Sequence, residues 1–208
     1  MSPLRALLGL GTGYLIGSIP FAVLLARASG GFDALREGTR NPGATNVFKH
    51  VGRKVGAAVG LLDYFKALVP CLLAQGCLGW GPAEAAAAGV GAVLGHDFSL
   101  FLRLRGGKGG ASTLGVMTFL DFPSLIGSGI LWVLALPLLK GRRFLAGPAA
   151  LSFFPLLTAL HSTPAFEGLF PGWRRGGAPL AAGLGALLVA LLWARIAPGL
   201  RLPPRVAP

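Results

Sequence analysis

Residues 4–26 carry a single charge, Arg5, in an otherwise apolar run, and similar runs recur at 55–78, 85–102, 111–139, 145–160 and 180–196. A helix rises about 1.5 Å per residue, so roughly 20 apolar residues cross a hydrocarbon core of about 30 Å. Lipid offers no partners to backbone N–H and C=O groups, so each such segment must be a helix that bonds to itself. The chain therefore reads as an all-α, polytopic integral membrane protein with a single domain over residues 1–208. Composition agrees: 53% hydrophobic and 12% charged residues, with a mean hydropathy of +0.68, exclude an ordinary soluble domain. The first run lacks a charged leader region and a small-residue cleavage site, so it is expected to remain as the first helix.

The net charge of +12 would point to nucleic acid in a soluble protein. Here the cations sit in short loops beside apolar runs, where they orient helices against an anionic cytoplasmic leaflet, and no nucleic-acid partner is expected. The run 111–139 is too long for one span and contains Asp121-Phe122-Pro123. A fold-back at that point gathers most of the Lys and Arg on one side, as the positive-inside rule favours, and Asp-Pro spacing suits a turn. The expectation is about seven hydrophobic helices, the first arm of the broken run being short or re-entrant. Loop 161–179 then faces outward, and the basic, Pro-rich tail after Arg195 faces inward. Cys71 and Cys77 are read as small apolar packing residues.

Two polar, glycine-rich loops then share the cytoplasmic face. In one, His96 and Asp97 precede Arg103, Arg105 and the turn Gly106-Gly107-Lys108-Gly109. Glycines allow successive N–H groups to surround an anion, and the lysine adds a point charge. The competing reading is a basic loop that only fixes orientation. In the other, Thr39-Arg40-Asn41-Pro42-Gly43-Ala44-Thr45-Asn46 runs into Val47-Phe48-Lys49. Asn46 or Thr45 is expected to cap a helix there, giving a phosphate site beside Arg40 and Lys49; the alternative is a solvated turn. Ser18, before Pro20, serves either the proline kink or the site itself. Asp63 and Lys66 share a helix face at i,i+3 and are expected to pair in support of the site.

Gly17-Ser18-Ile19-Pro20, Asn41-Pro42-Gly43-Ala44-Thr45-Asn46-Val47, Gly95-His96-Asp97-Phe98-Ser99 and Gly106-Gly107-Lys108-Gly109 together closely resemble the bacterial acylphosphate-dependent glycerol-3-phosphate acyltransferase family, PlsY. The resemblance covers two of that family's three cytoplasmic motifs and the hydrophobic layout of nearly the whole chain. It implies transfer of a fatty acyl group from acyl phosphate to the 1-hydroxyl of glycerol 3-phosphate, with lysophosphatidic acid and phosphate as products. It implies no coenzyme A, no cofactor and no metal, membrane lipids as surroundings, and a bacterial inner membrane with the site facing the cytoplasm. Lys108, Thr39, Lys49 and His96 are then the catalytic candidates. Ser18, Arg40, Asn41, Gly43, Thr45, Asn46, Gly106, Gly107 and Gly109 are the substrate-binding candidates.

The chain departs from the family pattern in three places. Thr39-Arg40 stands where a Ser-Gly pair is usual before Asn41, and Lys49 stands where the family has arginine. The third motif, a C-terminal His-x-x-Asn-Ile followed by Gly-x-Glu, is not recognisable; Arg195-Ile196 and Gly199 fall near its expected place. An altered or non-catalytic relative and, further off, an organic-phosphate transporter are the competing readings.

Overall fold

The computed structural model describes residues 2–135, 137, 146–161, 163 and 178–197. Among the described residues, four helical segments are long and apolar enough to span, Pro3–Ala28, Arg53–Gly76, Pro82–Leu102 and Pro179–Ile196, and three shorter apolar ones lie at Gly110–Leu120, Phe122–Leu134 and Pro148–Leu160. These are the seven apolar helices that the sequence leads one to expect. Residues 162 and 164–177 of the loop 161–179, which is expected to face outward, and the tail after 197 lie outside the described residues.

The first segment breaks into α1 (Pro3–Gly17) and α2 (Phe21–Ala28) around Pro20, as a proline without an N–H requires. A short helix, α3 (Ala44–His50), precedes the long α4 (Arg53–Gly76). Then come α5 (Pro82–Asp97), a 3₁₀ turn at Leu100–Leu102, and α6 (Gly110–Leu120). The chain continues through α7 (Phe122–Ala135), α8 (Ala146–Leu151), α9 (Phe154–His161) and α10 (Ala178–Ile196).

Packing is closest between α1 and α5. Gly9, Gly13 and Gly17 lie on one stripe of α1, and a Cβ on Gly13 or Gly17 would strike the backbone of Ala88 or Ala92. Such small-residue seams let membrane helices approach where apolar burial gives no net drive. The effect is to fix the kink of the first span against the end of α5.

The 11 residues of α6 reach about 16 Å, half a hydrocarbon core. Its Thr113, Val116, Met117, Phe119 and Leu120 are buried among α4, α5 and α10. Being surrounded by protein, the helix can stop inside the membrane. At the break Asp121 is buried and its carboxylate accepts the Ser124 N–H at 3.3 Å and hydroxyl at 2.7 Å, which satisfies one freed N–H of α7's first turn. Cys71 is buried in the core, whereas Cys77, at the end of α4, is exposed, contrary to the packing role expected of it.

Candidate active site

The last carbonyls of a helix have no partner of their own, and at the end of α5 the glycyl loop supplies them. Gly106 N–H donates to Asp97 O at 3.1 Å and Gly107 N–H to His96 O at 3.0 Å. The loop therefore lies against the α5 terminus. A Cβ on Gly107 would strike the His96 ring, and one on Gly109 would come within 2.6 Å of Asp97 Oδ1. Gly109 also has φ of 73°, the left-handed region that glycine adopts without strain. It caps α6, so the buried Asp97 carboxylate sits at the positive end of that helix. Neither carboxylate oxygen has a hydrogen-bond partner among the described residues.

Beneath the loop lies an ionic cluster. Lys66 Nζ is 2.8 Å from Asp63 Oδ1, and His96 Nδ1 is 3.4 Å from the same oxygen. All three are buried, and the expected Asp63–Lys66 pairing is present. Lys66 also donates to Ile19 O at 3.1 Å, in the break between α1 and α2, and Ser112 Oγ donates to Asp63 O at 2.9 Å. One charged pair thus joins α4 to the kink of the first span, and a neighbouring hydrogen bond joins it to α6. Ser18 belongs to the same junction: its hydroxyl donates to Tyr14 O at 2.8 Å and accepts the Leu100 N–H at 3.2 Å, while its carbonyl accepts the Ser99 hydroxyl at 2.6 Å.

The first glycine-rich loop is built around Asn46. Its Oδ1 accepts the Thr39 N–H at 2.9 Å, and its Nδ2 donates to Ala34 O and Glu37 O at 3.2 and 3.1 Å. The capping role expected for Asn46 or Thr45 is not what forms. Gly43 is the N-cap of α3, with no side-chain cap, and both residues fall inside the helix. The reason is reach: the fully buried Asn46 amide can satisfy three backbone groups upstream, whereas a capping bond would satisfy one. Thr39, Thr45 and Lys49 are exposed, and Arg40 is exposed with a left-handed φ of 55°.

Between the two loops opens a cavity of about 750 Å³ lined by Arg27, Arg36, Arg40, Arg103, Arg105 and Arg195, together with Asn41 and Gly106, and no carboxylate. Pro42, Leu102 and Gly106 are shared with a narrow cleft that descends to Ser18, Asp63, Lys66, His96 and Gly107. Arg27 and Arg36 have Asp33 at 3.8 and 3.7 Å. Of the sequence candidates, Arg40, Asn41, Ser18, His96, Gly106 and Gly107 line these two spaces. Thr39, Gly43, Thr45, Asn46, Lys49, Lys108 and Gly109 line neither, Lys108 being exposed on the loop.

Sequence reading left Arg27, Arg36, Arg103, Arg105 and Arg195 out of the site. Arg103 and Arg105 directly precede the glycyl turn, and their position was the available signal. Arg195 carried only its place in the region of the third motif, because its partners are carbonyl oxygens: it donates to Asp97 O at 3.1 Å, Gly106 O at 3.3 Å and Gly107 O at 2.9 Å, with its guanidinium 5.0 Å from the Phe98 ring centroid. Among the described residues, no group of three or more His, Cys, Asp and Glu is placed to hold a metal.

The family model described as glycerol-3-phosphate acyltransferase matches residues 7–197. The glycerol-3-phosphate acyltransferase of Myxococcus xanthus is 45% identical over 121 residues, 58% of this chain and 63% of the relative. That of Geobacter sulfurreducens is 46% identical over 120 residues, 58% and 61% of the two chains. The chain thus spans less than two thirds of the length of these two relatives. With the Pseudomonas entomophila enzyme of the same name it is 38% identical over 158 residues, 76% of this chain and 81% of that one. Among solved structures, the glycerol 3-phosphate form of PlsY, described as an integral membrane glycerol 3-phosphate acyltransferase, superposes with a TM-score of 0.76 at 28% identity. The superposition covers 93% of this chain and 89% of PlsY.

Proposed function

Because this chain belongs to the glycerol-3-phosphate acyltransferase family, we propose that it works as a single-domain membrane enzyme that moves a fatty acyl group from acyl phosphate to the 1-hydroxyl of glycerol 3-phosphate. The hydroxyl oxygen attacks the acyl carbonyl carbon and the bond from that carbon to the phosphate oxygen breaks. The hydroxyl proton leaves on the released phosphate, and lysophosphatidic acid is the other product.

The observation that carries this reading is the arginine-lined cavity that meets the glycyl loop at Gly106. Both reactants carry phosphate, so like charges oppose their approach. The six guanidinium groups of its lining offset that repulsion, Asp33 lying beside two of them, and the planar forks of Arg40, Arg103 and Arg105 match phosphate oxygens, whereas that of Arg195 is taken by loop carbonyls. The donor is already an activated mixed anhydride, so positioning and charge stabilisation supply most of the catalysis. On this reading Gly106, Gly107, Lys108 and Gly109 take the phosphate of glycerol 3-phosphate, while Arg40 and Asn41 act from the facing wall. His96 holds the floor of the cleft through Asp63. Ser18 lines the cleft, Gly43 and Asn46 hold the backbone of the loop that carries Arg40 and Asn41, and Thr39, Thr45 and Lys49 act from the exposed side of that loop.

The cations of both loops support a reading in which this face is turned towards the cytoplasm of a bacterial inner membrane. The test is turnover by purified protein in detergent, given acyl phosphate and radiolabelled glycerol 3-phosphate. Equal amounts of labelled lysophosphatidic acid and inorganic phosphate are expected. Folded protein that binds glycerol 3-phosphate without forming product would exclude the transferase.

A further inference from the structure

The family's third motif is not recognisable in the C-terminal sequence, yet the C-terminal helix α10 reaches the glycyl loop. Arg195, in the last turn of α10, puts Nε and one terminal nitrogen onto Gly107 O, at 3.3 and 2.9 Å, and that same terminal nitrogen also reaches Asp97 O and Gly106 O. Its guanidinium carbon lies over the Phe98 ring, 5.0 Å from the centroid, a cation–π contact that helps to hold it. A cation at this point also faces the C-terminal end of α5, where the helix dipole is negative.

A peptide plane has its C=O and the following N–H on opposite sides. With Gly107 O turned towards Arg195, the N–H of Lys108 is turned away from it, and that N–H has no backbone or side-chain acceptor among the described residues. Gly107 N–H is bound to His96 O, so the peptide before it is pinned as well. Two consecutive peptides of the loop are thereby set from behind, with the lysine's N–H left for an anion. A lysine at position 195 would offer one point charge in place of a fork.

We propose that Arg195 is the positioning residue of the Gly106–Gly109 loop, fixing the loop peptides so that they accept the substrate phosphate. The proposal rests on the acyltransferase reading for its kinetic consequences but not for its structural one.

The test compares R195A, R195Q and R195K with wild type in detergent, by hydrogen–deuterium exchange over peptides covering 104–112 and by steady-state kinetics. Exchange in that loop should quicken in R195A and R195Q while α4 keeps its protection. The KM for glycerol 3-phosphate should rise by about tenfold or more, from loss of charge-assisted hydrogen bonds, with a smaller change in kcat. R195K should lie between these and wild type. Guanidinium ion at about 50 mM, far below denaturing concentrations, should recover part of the R195A activity and none of that lost in K108A. Loop exchange equal to wild type in R195A would overturn the proposal, as would faster exchange with an unchanged KM, which would make Arg195 a structural tie alone. If R195A does not fold, R195K carries the same comparison. Absence of turnover in wild type would count against the acyltransferase reading, and loop exchange would still decide the role of Arg195.

Discussion

Arg195 Nη2 lies 2.9 Å from Gly107 O, across 88 residues of sequence. The last helix therefore sets the backbone of a loop that follows the third span. The Gly106–Gly109 loop is held on two sides, by the end of α5 through its N–H groups and by α10 through its carbonyls. A loop so pinned presents donors without having to reorganise when an anion arrives.

Lys108 has an exposed side chain and no ion pair among the described residues, so its removal costs the fold little. Lys108→Ala is expected to keep the thermal midpoint of the wild type and to lose about 100-fold in kcat/KM. The assay and the melt are done on the same purified sample. Near-normal turnover would remove this lysine from the site.

Gly109 and Gly31 both have left-handed φ, 73° and 76°, but only Gly109 has a neighbour where a Cβ would go. Gly31→Ala should cost about 1–2 kcal/mol of stability from backbone strain alone. Gly109→Ala should cost clearly more and also depress activity, because the Asp97 carboxylate must move. Thermal unfolding of both variants in one detergent gives the comparison, and equal costs would show that Asp97 does not constrain the loop.

The Asp63–Lys66 pair is buried and bonded to the kink of the first span. Removing one partner leaves an uncompensated charge, so Asp63→Asn or Lys66→Met alone should destabilise by about 3–5 kcal/mol. The double variant should recover a large part of that loss. A double-mutant cycle on thermal stability measures the coupling, and additive losses would mean that the two charges act independently.

Asn46 and Lys49 stand one helical turn apart but do different things. Asn46→Ala removes three hydrogen bonds to backbone groups and should cost about 2–3 kcal/mol in stability. Lys49→Ala, at an exposed position, should change stability by less than about 0.5 kcal/mol. Its effect should be a raised KM for glycerol 3-phosphate that shrinks as salt is added. An unchanged KM at low salt would take Lys49 out of the substrate's field.

The spans, the break at Asp121, the kink at Pro20 and the Asp63–Lys66 pair were all legible in the sequence. Each follows from a local rule: length against bilayer thickness, a missing N–H, or i,i+3 spacing on one helix face. The two polar loops were legible as anion-binding candidates because glycines and cations cluster in them. The reading went astray where a side chain had a choice of backbone partners, as with Asn46, whose amide reaches upstream instead of capping α3.

By itself the sequence determined the all-helical membrane architecture and its resemblance to one acyltransferase family, since hydrophobic length and short motifs are properties of contiguous residues. Only the tertiary structure decided which cations meet. Arg27, Arg36, Arg40, Arg103, Arg105 and Arg195 come from four separate stretches and line one cavity, while Lys49 and Lys108 stay outside it. It also decided that Arg195 holds the glycyl loop, because the groups it binds are carbonyl oxygens, which every residue carries and no sequence pattern marks.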